Sequence, residues 1–475
     1  MKAGWTLLRR RDLGLLWAGG LISETGDWLL LVGLPIWVLQ LTGSSLVTAT
    51  VFLVGLLPSL VVGPLAGVLV DRWDRRRTLV AASLAQAAFL LPLLAVDGQD
   101  RLWIVYLVMA VEAALGQLND PARNALVPAL VPADDRVAAN ALVNVNGNLA
   151  RLVGGPLGGI LVELAGLPGL VVADAVSFLA GAALIALIRP RSDLPVARLD
   201  PPPARLGPPV ERSDPPLARW SAPSPGQGPR RGSLPAEPTG RAKLSTAPDP
   251  GPAGEARRLA GEWVDGLRVT LGDRGLRWGL VVNGLAGVAQ GIFTVLFVLF
   301  VARVLGGDGA DVGLLRGVQA IGGLVGGVLV VGLARRLAPG RLLGVSLLVF
   351  AAIDLAIWNG PMVTTSGWLY LGLFVAAGIP GIGVLTGLTA LVQERAADAY
   401  LGRVFATYLG SFNGLMALGM LLAGLLGDAV GVVAVLNGQA ALYLLAGVIA
   451  LATLGPRLRA GGYPRAEKRA RMPLA

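Results

Sequence analysis

The chain has 475 residues, of which 54% are hydrophobic and 15% charged, with a formal net charge of +10 and neither cysteine nor histidine. Its mean hydropathy is +0.67. Soluble domains carry about 25% charged residues, so most side chains here never meet water; disulfides, thiolate chemistry and imidazole proton shuttles are excluded outright.

A membrane-crossing helix takes about 20 mostly apolar residues, and stretches of that kind recur along the whole chain. They predict twelve spans, at 14–39, 45–70, 78–96, 102–120, 138–164, 168–188, 276–302, 311–333, 341–358, 367–391, 404–426 and 431–454. Their length and their lack of strict alternation argue for helices rather than barrel strands. The first span is too long, and too poor in small residues at its end, for a cleaved signal. The expected fold class is therefore an all-α polytopic membrane protein with six spans on either side of a central break.

That break is 190–256, which holds 17 of the chain's 32 prolines. Proline removes backbone donors and fixes φ, so this stretch is expected to be an extended, disordered linker. The implied division is 1–189, 190–256, 257–455 and a basic tail, 456–475. At 257–273, Leu259, Trp263, Leu267 and Leu271 share one helical face, which predicts an interfacial helix leading into the second half; Trp263 read only as the end of the linker is the simpler alternative.

The positive charge follows topology rather than a nucleic-acid patch. With the N-terminus inside, the inner loops and tail collect Lys2, Arg9–Arg11, Arg72, Arg75–Arg77, Arg123, Arg136, Arg335, Arg336, Arg341, Arg395, Arg403 and the C-terminal basic residues, while the outer loops hold little beyond Arg101 and Arg303. By the positive-inside rule both termini are expected in the cytoplasm. The halves also echo each other: "GVLV" at 67–70 returns at 327–330, and the same offset carries Arg75-Arg76 onto Arg335-Arg336. Two six-helix halves related by an axis along the membrane normal are the expected arrangement.

"GVLVDRWDRRRTL" at 67–79 resembles the loop signature of the major facilitator superfamily, with Gly67, Leu69, Asp71, Arg72, Arg75, Arg76 and Leu79 in place and Asp74 standing where a glycine is usual. "LISETGDWLLLVGLPIWVLQLTGSS" at 21–45, "NDPARNALVPALVP" at 119–132, "GGPLGG" at 154–159, "ADAVSFLAG" at 173–181 and "LGRVFATY" at 401–408 resemble the drug:proton antiporter branch, which includes macrolide exporters and the enterobactin exporter. The resemblance implies a secondary transporter of a bacterial inner membrane, working as a monomer on a small-molecule substrate in exchange for protons. A siderophore exporter or a lipid or lysolipid exporter on the same fold, and a non-transporting scaffold or sensor, are the other readings. No enzyme motif is present, and no G-x-x-x-x-G-K-[ST] loop, so ATP is not expected to drive the protein directly. No cofactor, metal or nucleic acid is implied.

Within this resemblance Asp71, with Arg72, Arg75, Arg76 and Arg123, is expected to latch the two halves on the cytoplasmic side; a topology anchor is the plain alternative. Ionisable groups inside spans are costly and mark function by default. A proton-coupled exporter needs a carboxylate that loads a proton on one side and releases it on the other; without histidine the candidates are Asp27, Glu112 and Glu24, with Arg151 as paired cation. A static Glu112–Arg151 pair is the structural alternative. Asp174 lies in the sixth span, and Asp354 is expected to be solvated at the end of the ninth. Aromatic and polar residues expected to wall a central cavity are Trp28, Trp37, Asn144, Asn148, Asn283, Gln290, Phe293, Arg316, Gln319, Phe405, Tyr408, Phe412 and Asn413. Gly154/Gly158, Gly155/Gly159, Gly322/Gly326 and Gly323/Gly327 stand at the spacing that lets helices approach closely.

Overall fold

Lipid offers no partner for a backbone N–H or C=O, so a chain this apolar must close its hydrogen bonds within each segment. The computed structural model describes residues 6–189, 261 and 264–455 and is helical throughout, with no strand among them. The linker 190–256, the tail 456–475, Leu259 and Trp263 lie outside the described residues, as do the side chains of Asp71, Arg72 and Asn144. The segments are α1 Arg11–Thr42, α2 Ser45–Arg72, α3 Arg75–Ala95 and α4 Gln99–Leu130, then α5 and α6 on either side of Gly166 within Arg136–Ala186. The second set is α7 Arg274–Val304, α8 Gly309–Ala334, α9 Pro339–Met362, α10 Gly367–Arg395, α11 Asp398–Ala429 and α12 Val432–Leu454. Ten helices among the described residues are long and apolar enough to cross a membrane. One of these, Arg136–Ala186, is 51 residues long and turns back at Gly166, whose φ of 60° suits glycine and whose neighbour Pro168 helps end the first arm. With its two arms counted separately and the 28-residue helix Ser45–Arg72 added, twelve segments among the described residues are long enough to cross a membrane.

The helix pairings repeat with a shift of six. α1 packs on α5 and α6 as α7 packs on α11 and α12; α2 meets α4 as α8 meets α10; α3 lies on the α5–α6 arms as α9 lies on α12. The two seams between halves, α2 with α11 and α5 with α8, exchange under the same shift. Both halves belong to one compact unit.

Glycine makes the tightest of these contacts. A side chain at Gly154 or Gly158 would strike the α1 backbone at Thr25 and Leu29, and one at Gly159 or Gly313 would strike the facing backbone across the α5–α8 seam. Large apolar side chains such as Leu164, Val328 and Met362 instead stand exposed, on faces that lipid would cover.

Asp74 has a local cause. It is the N-cap of α3, and its Oδ1 accepts from the Arg77 N–H at 2.8 Å. A carboxylate there satisfies an orphan donor and meets the positive end of the helix. In the segment ahead of α7, residues 264–272 are helical; Gly266 lies against α11 and Thr270 is buried, leaving Leu271 outward.

Gly158→Ala is expected to cost about 1–3 kcal/mol through overpacking against Leu29, read as a lowered Tm of the purified protein. Gly381→Ala, with open space around the new carbon, is expected to leave the Tm unchanged.

Candidate functional site

α4 sets the floor of the site. Pro121 cannot donate to Gln117, so the helix Leu102–Gly116 breaks and restarts at Asn119–Leu130. The restart turns Asn119, Asp120, Arg123 and Asn124 toward a cavity of about 730 Å³ between the halves. The helix also runs ten residues past the predicted end of the fourth span. Arg123 is thereby corrected: it is not a loop residue at the membrane face but is buried at 7% exposure, with its Nη1 donating to Glu24 Oε1.

α1 supplies Glu24, Asp27, Trp28 and Leu31, which helical spacing places on one face, and all four line the cavity. From α4 come Glu112 and Asp120, from α6 Asp174, and from α3 Gln86. Gln86 hydrogen-bonds Glu112 and accepts from Asn119 Nδ2 at 3.2 Å. Gly26 clears the space in which Asp174 and Ser177 lie against α1. Glu112 Oε1 and Asp174 Oδ2 are buried with no hydrogen-bond partner among the described residues. Five carboxylates thus meet one arginine on this wall, and only Glu24 is ion-paired among the described residues. The opposite wall is Gln290, Thr294, Phe297, Arg316, Met416 and Met420. Arg316 lies over the Phe293 ring at 5.0 Å and the Phe297 ring at 5.7 Å.

Of the residues named from sequence, Glu24, Asp27, Trp28, Glu112, Arg123, Asp174, Gln290 and Arg316 line the cavity. Others stand elsewhere. Arg151 does not pair with Glu112: its Nη2 donates to Gln319 and its Nε to the Arg316 carbonyl at 3.3 Å, both across the seam, while its guanidinium covers Trp28 at 5.5 Å. Asn283 Nδ2 donates to the Tyr408 carbonyl at 2.9 Å, and Tyr408 Oη to the Leu276 carbonyl at 2.5 Å, so both fasten α7 to α11. Phe293 is buried beneath Arg316. Phe412 packs against Gly287. Asn148 is exposed and Asn413 half-buried, and neither borders the cavity. Asp354 is not solvated: it is 2% exposed and accepts from Gln439 Nε2 at 2.8 Å, while Gln439 Oε1 accepts from Trp358 Nε1 at 3.1 Å. Arg75 and Arg76 donate to the carbonyls of Ala125 and Ala186. They therefore cap helix ends of their own half rather than bridging to the other.

The seam is polar at one end. Asp428 on α11 accepts from Ser45 N at 2.9 Å, Ser45 Oγ at 2.7 Å and Arg303 Nη1 at 2.7 Å. Arg303 Nη2 also donates to the Gly43 carbonyl at 2.5 Å. Glu163 on α5 accepts from the Gly309 N–H at the start of α8 at 3.0 Å and from Gln40 at 2.7 Å. At the opposite end, where α3 begins at Arg75, no hydrogen bond or ion pair joins the halves among the described residues.

Gln86, Asn119, Asp120, Thr294 and the two methionines were not foreseen. For Asn119, Asp120 and Arg123 a signal existed in "NDPARN", where a proline inside a polar run ahead of an apolar one marks a helix break that faces water.

A family model described as Major Facilitator Superfamily matches residues 16–226, and one described as Transmembrane secretion effector matches residues 252–472. The chain belongs to the major facilitator superfamily. It is 24% identical over 422 residues to macrolide efflux protein A of Streptococcus pyogenes, covering 88% of this chain and 89% of that protein. It is 32% identical over 170 residues to the multidrug efflux pump Tap of Mycolicibacterium fortuitum, 34% of this chain and 41% of that one. Among solved structures, a bacterial homologue of the iron transporter ferroportin in the inward-facing state aligns with a TM-score of 0.63 at 17% identity, over 93% of this chain and 98% of that one. The nucleoside transporter NupG aligns at 0.65 and 11% identity, over 93% and 99%. Carriers this different share the fold, so the fold names no substrate.

Arg123→Gln is expected to destabilise the protein by about 3 kcal/mol, because it leaves Glu24 buried among four further carboxylates. Glu24→Gln/Arg123→Gln should recover most of that loss. Thermal unfolding of the two variants checks it.

Proposed function

We propose that this superfamily member exports small amphipathic organic molecules across a bacterial cytoplasmic membrane in exchange for protons. The observation that carries the reading is the central cavity with Asp27, Glu112, Asp120 and Asp174 free of ion pairs among the described residues. A carboxylate there can hold either a proton or the cationic part of a substrate, and not both. Exchange follows: protons loaded from outside displace the substrate, and a substrate arriving from inside displaces the protons. Asp27 and Glu112 are the coupling pair, and Glu24, held by Arg123, keeps α1 and α4 together around them. Trp28, Phe297, Met416 and Met420 supply the adaptable apolar surface that an amphipathic guest needs. The macrolide and multidrug efflux relatives support this substrate class.

Arginine placement supports a cytoplasmic assignment for the end bearing Arg10, Arg75–Arg77, Arg335 and Arg336. The polar seam at Gly43, Asp428 and Glu163 is then the closed outer gate, and the cavity faces inward. Alternating access needs this gate to open as the inner end closes. Asp71 lies at the inner end, where a latch to the second half would form in the other state. The chain acts as a monomer, since each copy carries a complete cavity.

Asp27→Asn and Glu112→Gln are each expected to reduce efflux of a fluorescent amphiphile from cells at least tenfold while membrane levels of the protein stay normal. A protonophore should do the same to the wild type. Undiminished efflux in both variants would sink the coupling assignment. Because the chain has no cysteine, Thr294→Cys gives a single label site in the cavity. Adding Asp428→Ala is expected to raise its labelling by an impermeant thiol reagent applied outside intact cells.

A further inference from the structure

Three arginines stand at or beside the cavity, and their surroundings differ: Arg123 is paired with Glu24. Arg151 is occupied by Gln319, the Arg316 carbonyl and the Trp28 ring. The Arg316 guanidinium lines the cavity and makes no hydrogen bond or ion pair among the described residues. It lies over Phe293 and Phe297, at 5.0 and 5.7 Å from their centroids. Aromatic rings attract the face of a guanidinium and leave its N–H edge unused. That edge carries five donors in a planar fork that matches a carboxylate or carbonyl group. Across the cavity stand the carboxylates of the first half. Glu112 and Asp174, at 8% and 1% exposure, each keep a buried oxygen without a partner. One wall therefore carries unpaired acceptors and the other a guanidinium with unused donors.

We propose that Arg316 sets the class of molecule the cavity accepts: a dipolar amphiphile, whose cationic group meets the Asp27–Glu112 wall and whose carboxylate meets Arg316. This rests on the central cavity being the transport site. Leaving a buried donor set unpaired penalises a guest that lacks the acceptor, so discrimination arises from what a poor substrate fails to satisfy. Phe293 and Phe297 position the guanidinium, and Met416 and Met420 accommodate variation in the apolar middle.

Rhodamine B, which carries a cation and a carboxylate, and its ethyl ester, which keeps the cation and replaces the carboxylate with a neutral ester, separate the two ends. Binding of each dye to the full-length protein in lipid nanodiscs is the measurement. The wild type should bind rhodamine B at least tenfold more tightly than the ester. Arg316→Gln should abolish that preference by weakening rhodamine B at least tenfold, with the ester changed less than threefold. Arg316→Lys should retain part of it, since an ammonium keeps the charge and loses the fork. A wild type that binds both dyes equally, or neither, overturns the proposal. So does an Arg316→Gln variant that loses both dyes alike or keeps the preference. Should Arg316→Gln fail to fold, an Arg316→Lys variant with undiminished preference overturns it as well. Failure of proton coupling leaves the dye preference untouched, so the two readings fall separately.

Discussion

A lipid bilayer cannot donate or accept a hydrogen bond, and every polar group in this protein is arranged around that fact. Backbone groups close within helices; side-chain charges retreat to the ends, to the seam between halves or to the central cavity. Burying an unpaired charge in such a medium costs several kcal/mol at least. A chain that keeps five carboxylates and a free guanidinium on one cavity can do so only where water or a guest replaces the lost partners. The cavity is thus where buried carboxylate oxygens are left without partners among the described residues, whereas Asp354, equally acidic, accepts from Gln439 and forms part of the packing.

Much of the fold was legible because the bilayer simplifies the code. Span length, charge asymmetry at the loops and a repeat with its own offset suffice to place twelve helices in two related halves. The site was harder to read, for reasons that trace to particular residues. Hydropathy ends the fourth span at the polar run "NDPARN", although the helix restarts at Asn119 and carries Arg123 into the interior. Polarity inside a span does not say whether a side chain meets the cavity or a neighbouring carbonyl, and Asn283 and Tyr408 do the latter. The direction in which Arg151 and Glu112 each point is set by helix rotation, and Arg151 crosses to Gln319 instead. Asp74, anomalous as a motif residue, becomes ordinary as a helix cap.

The same distribution divides the molecule into parts that must stay rigid and a joint that must not. Arg75 and Arg76 bind helix ends inside their own half, Arg123 ties α4 to α1, and Tyr408 with Asn283 ties α11 to α7. Each such contact replaces a solvation the bilayer withholds, so breaking it exposes a group with nowhere to turn. The seams are built differently. Where α5 meets α8, glycines on both sides bring backbones together with few interlocking side chains, which gives close contact with little to disengage on sliding. The polar clamps on the two seams, Asp428 with Ser45 and Arg303 on one and Glu163 with Gly309 on the other, lie beyond the cavity at one end, where water can take over each bond as it opens; Arg151 with Gln319, beside Trp28 of the cavity wall, is the link nearer the middle. Rocking then costs roughly an exchange of protein partners for water, while bending within a half would cost buried polar groups their only partners. The hinge and the rigid bodies follow from where water can reach, and the charged cavity sits where both seams meet.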